Sequence, residues 1–320
     1  MEDARVQRIR EFIAPFRVAP GSDVVLGRDF DPADTGDFFD AEGSKDLLKT
    51  GVEFLAHYQS RLAAQDTYGV LMVLQALDAG GKDSTIRHVM SGVNPQGVAV
   101  HGFGKPSAEE LDHDYLWRYS QRLPARGQIT IFNRSHYEEV VVVRVHPEIL
   151  EHQKLPPFAR DGDVWKRRYR QINDWERFLV ENGFRVVKLF LNLSKEEQRC
   201  RFLRRIDYPD NNWKFKANDV KERAHWDEYQ TAFSQMLSAT STEHAPWYVI
   251  PADHKWLMRV AVAAVLVNTL IEIDPQYPEV SDEAREALLV SKAELEAQAP
   301  EGVAADPIAA ELAAATRGKE

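Results

Sequence analysis

The chain has 320 residues of ordinary globular composition, 44% hydrophobic and 28% charged, enough for one large α/β domain or for a domain with extensions. Its formal net charge of −10 argues against nonspecific nucleic-acid binding as the main role. The single cysteine, Cys200, excludes an intramolecular disulfide and fits a reducing compartment. No apolar run reaches the length of a membrane span, and Met1-Glu2-Asp3-Ala4-Arg5 lacks the basic-then-apolar start of a secretion signal, so a cytoplasmic protein without a membrane partner is expected.

The chain opens with a short amphipathic segment (Val6, Ile9, Phe12, Ile13), followed by a Gly/Asp-rich stretch from Gly27 to Gly43. Leu47, Leu48, Val52, Leu55, Tyr58 and Leu62 recur at helical spacing and predict a helix running into a first core strand at 68–75. A helix is expected from near Lys82 to before the turn Asn94-Pro95, then a second strand at 97–101. Ser107 and Glu110 have the spacing of a capping box and predict one helix carrying Leu111, Tyr115, Leu116 and Tyr119, stopping near Pro124. Further strands are expected at 128–132, 185–193 and 247–251, with helix-period segments at about 161–182, 194–206, 219–238 and 253–273. Such alternation implies a parallel sheet covered on both faces, with ligands at the carboxyl ends of the strands. The loops after Gln75, Phe132 and Leu193 therefore matter most. After Pro278 Ala and Glu dominate, and Pro300, Gly302 and Pro307 interrupt, which predicts a loosely docked helix and a disordered tail.

The first strand runs into Leu77-Asp78-Ala79-Gly80-Gly81-Lys82-Asp83-Ser84-Thr85. Strand, glycine loop and helix is how backbone N–H groups are gathered around a phosphate. Lys82 adds a point charge that can follow a transferring phosphoryl group. The loop is not a standard Walker A: the first glycine would fall at Ala76 and the hydroxyl at Asp83, while the hydroxyls come late, at Ser84 and Thr85. Asp78 is unfavourable beside a bare phosphate and becomes sensible if Mg²⁺ bridges the two. The competing reading is an ordinary strand-to-helix turn with a solvated Lys82.

The third strand ends in Phe132-Asn133-Arg134-Ser135-His136-Tyr137-Glu138-Glu139. Asn133 can bond a phosphate or a metal-bound water but carries no charge. Arg134 can fork onto phosphate oxygens. Glu138 and Glu139 are expected to open a helix, where carboxylates suit the dipole. Basic residues concentrate at 166–170, 199–205 and 214–221; each run is either a local anion site or a solvated helix face. Arg204-Arg205 and Trp213-Lys214-Phe215-Lys216 flank a Pro/Asn/Asp turn, and a second helix starts near Asp219, capped by Asn218 or Asp219. Two helices joined by a basic turn look like the lid of a nucleotide kinase, which closes over phosphates and excludes water.

Through these three motifs the chain resembles the polyphosphate kinase 2 family over nearly all of residues 5–275. The resemblance implies an α/β, P-loop kinase-like fold similar to thymidylate kinase, a three-layer α/β/α arrangement with a parallel central sheet and a helical lid at about 204–223. The implied organisation is an N-terminal helical extension (1–66), a catalytic domain (67–275) and a tail (276–320). It implies Mg²⁺-dependent transfer of phosphate between inorganic polyphosphate and nucleotides, with Mn²⁺ as an alternative metal, and a homodimer or homotetramer. Trp165 and Trp175 could serve an interface or a core equally well.

By position, Asp78 matches the family's essential loop aspartate, Lys82 the loop lysine, Arg134 the arginine after the third strand and Arg204 a lid arginine. Asp78 and Glu138 are the implied metal ligands. Many relatives have aspartate where this chain has Asn133, which moves metal binding towards Asp78. The Asn-Arg-Ser-His-Tyr-Glu version resembles the class III branch, which phosphorylates nucleoside mono- and diphosphates, with Glu138 linked to accepting AMP. Phosphate and nucleotide contacts are expected from Ala79, Gly80, Gly81, Asp83, Ser84, Thr85, Arg87, Asn133, Arg205, Lys214 and Lys216. Two other readings are an ATP-dependent nucleoside monophosphate kinase and a non-catalytic polyphosphate-binding protein. A phosphohistidine at His88, His101 or His136 is a mechanistic rival.

Overall fold

The apolar, β-branched runs form five parallel strands, β1 (Gly69–Ala76), β2 (Val98–Gly102), β3 (Ile129–Asn133), β4 (Phe184–Asn192) and β5 (Trp247–Pro251), in the order β2-β3-β1-β4-β5. The computed structural model describes residues 2–36, 40–160, 162–303, 305, 306, 308 and 309. The longer helices are α1 (Glu2–Ile13), α2 (Ser44–Gln65), α3 (Lys82–Val89), α4 (Val164–Glu181), α5 (Lys195–Asp207), α6 (Ala217–Glu222), α7 (Trp226–Thr240), α8 (Lys255–Ile273) and α9 (Asp282–Glu296). Two units result, Met1–Gln276 and Tyr277–Glu320. The second contains α9, capped by the Ser281 hydroxyl, which accepts from the Ala284 N–H at 3.2 Å. The disordered tail expected at the end of the chain lies, after residue 309, outside the described residues.

Period-two alternation divides β1, β3, β4 and β5 between two cores. Val70, Met72 and Leu74 of β1, Ile129 and Ile131 of β3, and Val187, Leu189 and Leu191 of β4 pack with α1, α2, α3 and α8. Leu71 and Val73, Phe132, Val186 and Phe190, and Trp247 pack on the other face with α4 and α7. This is the three-layer α/β/α arrangement. Strand β1 lies between β3 and β4, so its carboxyl end opens where the connections diverge to either side, the place where such sheets bind ligands.

Several local expectations are corrected. The helix expected to run to Pro124 is two single turns, Ala108–Leu111 and Trp117–Ser120, because the Asp114 carboxylate accepts from the Leu116 N–H at 2.9 Å and turns the chain. Glu138 and Glu139 do not open an α-helix. They lie in the single turn of a 3₁₀ helix, His136–Glu139, whose N-cap is Ser135. Helix α6 begins at Ala217 with Lys216 at its cap, so Asp219 sits inside its first turn. Helix α8 is, by length and apolarity, long enough to cross a membrane, contrary to the expectation for every run in the chain; 67% of its most apolar 18-residue window is buried inside the protein. Trp165 and Trp175 are partly buried against the second core. Of the basic run at 166–170, Arg168 is buried, donating to the Glu139 carboxylate at 3.0 Å and to the Gln153 side chain at 2.5 Å, and so is not an anion site.

Candidate active site

The loop between β1 and α3 is held tightly. A Cβ on Gly80 would lie 2.5 Å from the Ala76 Cβ and 2.9 Å from the Leu77 carbonyl, so only glycine fits. Gly81, at φ 102°, caps α3 in a region that favours glycine. Ala79 (φ 62°) and Arg134 (φ 65°) are left-handed without being glycine, a conformation that costs about 1 kcal/mol each and collects at functional sites. Helix α5 holds the loop's carbonyls. The Gln198 amide donates to the Asp78 carbonyl and the Arg201 guanidinium to the Ala79 carbonyl, each at 3.0 Å. The first N–H groups of α3 have no partner within the helix, which leaves donors for an anion.

Around this loop the structure brings together Asp78, Lys82, Arg134 and Glu138. The Arg134 guanidinium donates to the Asp78 carboxylate at 3.0 Å. Lys82 is half-buried, and its ammonium donates to the Ala76 carbonyl at 2.9 Å. Burial, and then Arg134, push the Lys82 pKa down, while Asp78, Glu138 and Asp83 pull it back. Glu138 is half-buried. Burial pushes its carboxyl up, Asp78 adds to that, and Arg134 and Lys82 oppose it. Asp219 of α6 belongs to the same field: burial and Asp78 raise its carboxyl. Opposite charges thus alternate across a small volume at the end of β1. Among the described residues no three His, Cys, Asp or Glu side chains form a group able to hold a metal ion.

The remaining expected residues are placed as follows. Asp83 accepts from the Asn133 amide at 2.6 Å, so each occupies the other. The Ser84 hydroxyl accepts from Arg259 at 3.0 Å. Thr85 is buried and its hydroxyl donates to the Gly81 carbonyl at 3.0 Å, which takes it away from a ligand. Arg87 is exposed on α3. Arg204 pairs with Glu197 at 3.2 Å and lines a cavity of about 620 Å³ with Lys255 and Trp256, while Arg205 lies 3.4 Å from Asp219. Lys214 and Lys216 are exposed on the lid. His136 is wholly buried against Glu176 and His88 faces the Ser84 carbonyl, so neither ring stands among Asp78, Lys82 and Arg134; His101 lies on β2, an edge strand.

Three residues of the site were missed in the sequence: Gln198, Arg201 and Arg223. Arg201 is buried, pairs with Glu197 at 2.9 Å and also donates to the Ala252 carbonyl. The available signal was spacing, since Gln198, Arg201 and Phe202 fall on one helical face and are buried while Arg199, Leu203 and Arg204 are exposed. A run dense in cations masked it.

A family model described as polyphosphate kinase 2 matches residues 39–278. The chain is 48% identical to the ADP-polyphosphate phosphotransferase of Rhodopseudomonas palustris over 282 residues, 88% of this chain and 97% of that one. It is 46% identical to the AMP/ADP-polyphosphate phosphotransferase of Meiothermus ruber over 268 residues, 82% and 95% of the two chains. The crystal structure of polyphosphate kinase 2 from Arthrobacter aurescens superposes with a TM-score of 0.77 at 37% identity, covering 86% of this chain and 95% of that one.

Proposed function

The chain belongs to the polyphosphate kinase 2 family, and we infer from that membership and the site that it is a phosphotransferase that phosphorylates nucleotides from inorganic polyphosphate. We propose further that it accepts both AMP and ADP. The observation that carries this is Glu138, a half-buried carboxylate facing Lys82 and Arg134 beside the phosphate loop. With AMP, which lacks a β-phosphate, its negative charge keeps those cations balanced.

Phosphoryl transfer passes through a loose transition state with charge spread over the transferring oxygens, so catalysis is mostly positioning and charge stabilisation. Lys82 and Arg134 supply positive charge beside Asp78. Arg204, Arg205, Lys214 and Lys216 follow the polyanion as the lid closes.

The site fits Mg²⁺ or Mn²⁺. Asp78 raises the carboxyls of both Glu138 and Asp219, which means the carboxylates repel one another and gain from a divalent cation. Mg²⁺ needs only one or two protein carboxylates and takes its other ligands from water and phosphate. Asp78 and Glu138 would hold it, and it would neutralise charge on the phosphates.

The test is product analysis with polyphosphate and Mg²⁺, supplying AMP in one reaction and ADP in another. ADP and ATP from AMP support the reading. ATP from ADP alone keeps the family activity and rejects AMP. No product from polyphosphate, with ADP formed from AMP and ATP, rejects polyphosphate as donor.

A further inference from the structure

We propose that Gln198 is a positioning residue that couples the base of the lid to the phosphate loop, with Arg223 as its partner on the returning arm. Helix α5 is the outgoing arm of the lid, and the 3₁₀ turn Arg223–His225 ends the returning one. The Arg223 guanidinium donates to the Lys195 carbonyl at 2.6 Å and to the Gln198 Oε1 at 2.9 Å. The Nε2 of the same amide donates to the Asp78 carbonyl at 3.0 Å. Only this orientation satisfies all partners, because a guanidinium can only donate and a carbonyl can only accept. One side chain, 3% exposed, therefore touches both lid arms and the loop.

The returning arm is itself anchored next to Arg223. Glu222 accepts from the Tyr229 hydroxyl at 2.9 Å and from the Asn218 amide at 3.2 Å, and lies 2.9 Å from the His146 Nε2. At the other end the constraint falls on an uncommon backbone. Ala79 is left-handed, and the carbonyls on either side of its Cα, those of Asp78 and Ala79, are each held by α5 through Gln198 and Arg201. Fixing the Asp78 peptide fixes where its carboxylate meets Arg134. When the lid arms part, Gln198 loses the donor on its oxygen and the loop loses its brace. The lid's position is thus felt at Asp78 through one amide.

The proposal rests on the phosphotransfer reading for its kinetic arm, and hydrogen exchange supplies an arm independent of activity. The full-length chain and its Arg223→Ala, Gln198→Leu and double variants would be compared for amide exchange at residues 79–82. Arg223→Ala is expected to speed that exchange about tenfold, although it has no bond to the loop, and the double variant should match the single ones. In turnover with polyphosphate and ADP, each single variant should lower kcat about tenfold, with the KM for polyphosphate within about threefold and no further loss in the double variant. Arg223→Lys, which keeps a donor for Gln198, should restore most of the loss. If Gln198→Leu fails to fold, Gln198→Glu keeps the acceptor for Arg223 and removes the donor to Asp78; it should loosen the loop alone. Loop exchange unchanged by Arg223→Ala, or losses that multiply in the double variant, would overturn the coupling. A wild-type chain inactive with polyphosphate would reject the function and leave the exchange measurement to decide this proposal.

Discussion

The guanidinium of Arg134 and the carboxylate of Asp78 meet at 3.0 Å, joining the loop that leaves β3 to the loop that leaves β1. Both side chains are more than a third exposed, 44% and 36%. An ion pair this open contributes about 0–1 kcal/mol to stability. Its use is orientation. Asp78→Asn should lower turnover by about a hundredfold or more while the melting temperature stays within about 2 °C of wild type. Arg134→Lys should lose nearly as much, because an ammonium cannot fork onto two oxygens. Calorimetry beside steady-state rates checks both; a large drop in melting temperature would make the pair structural.

Lys82 predicts a different balance. Burial and Arg134 disfavour its charge in the folded chain, and phosphate oxygens would favour it. Lys82→Met should abolish turnover to within about a thousandth of wild type and cost stability only about 1 kcal/mol, for the bond to the Ala76 carbonyl. Urea denaturation and a rate assay separate the two. A variant with near-normal turnover would remove Lys82 from the chemistry.

The buried group behind the site sets an acid limit. Glu176 accepts from the Lys188 ammonium at 2.6 Å and from the Tyr137 hydroxyl at 2.7 Å, and lies 3.3 Å from the His136 Nε2. Burial lowers the His136 pKa, and the pull of Glu176 does not offset it. Below about pH 6.5 the unfolded chain takes up a proton at this histidine that the folded chain resists, so stability should fall with pH by up to about 1.4 kcal/mol per unit. Burial also tries to raise Glu176, but Lys188 and His136 hold it low; its contribution is present above about pH 4.3 and is lost only as pH falls further. Urea midpoints at pH 7.5 and 5.5 should converge in His136→Asn, with a residual slope from His101 and His244, which burial also lowers. An unchanged slope in that variant would contradict the assignment.

Much of this was legible because strands and loops report themselves locally. The β-branched runs fall within a residue of the observed strands, and Gly80, Gly81 and Lys82 mark their loop by composition alone. Asp114 was not legible as a helix breaker, since its bond to Leu116 depends on a turn the periodic pattern hides. Gln198 and Arg201 were not legible for another reason. Their partners are backbone carbonyls 120 and 122 residues earlier, and a carbonyl carries no residue identity. Thr85 shows a limit of reading residue types alone: a hydroxyl in the first turn of a helix can serve its own backbone.

The most direct test of the account is the ratio of AMP to ADP turnover in Glu138→Ala against wild type, with polyphosphate as donor. In the proposed function the half-buried carboxylate beside Lys82 and Arg134 serves AMP. AMP phosphorylation should fall at least about twentyfold while ADP phosphorylation stays within about threefold. Equal loss on both acceptors, or no loss on either, would contradict it.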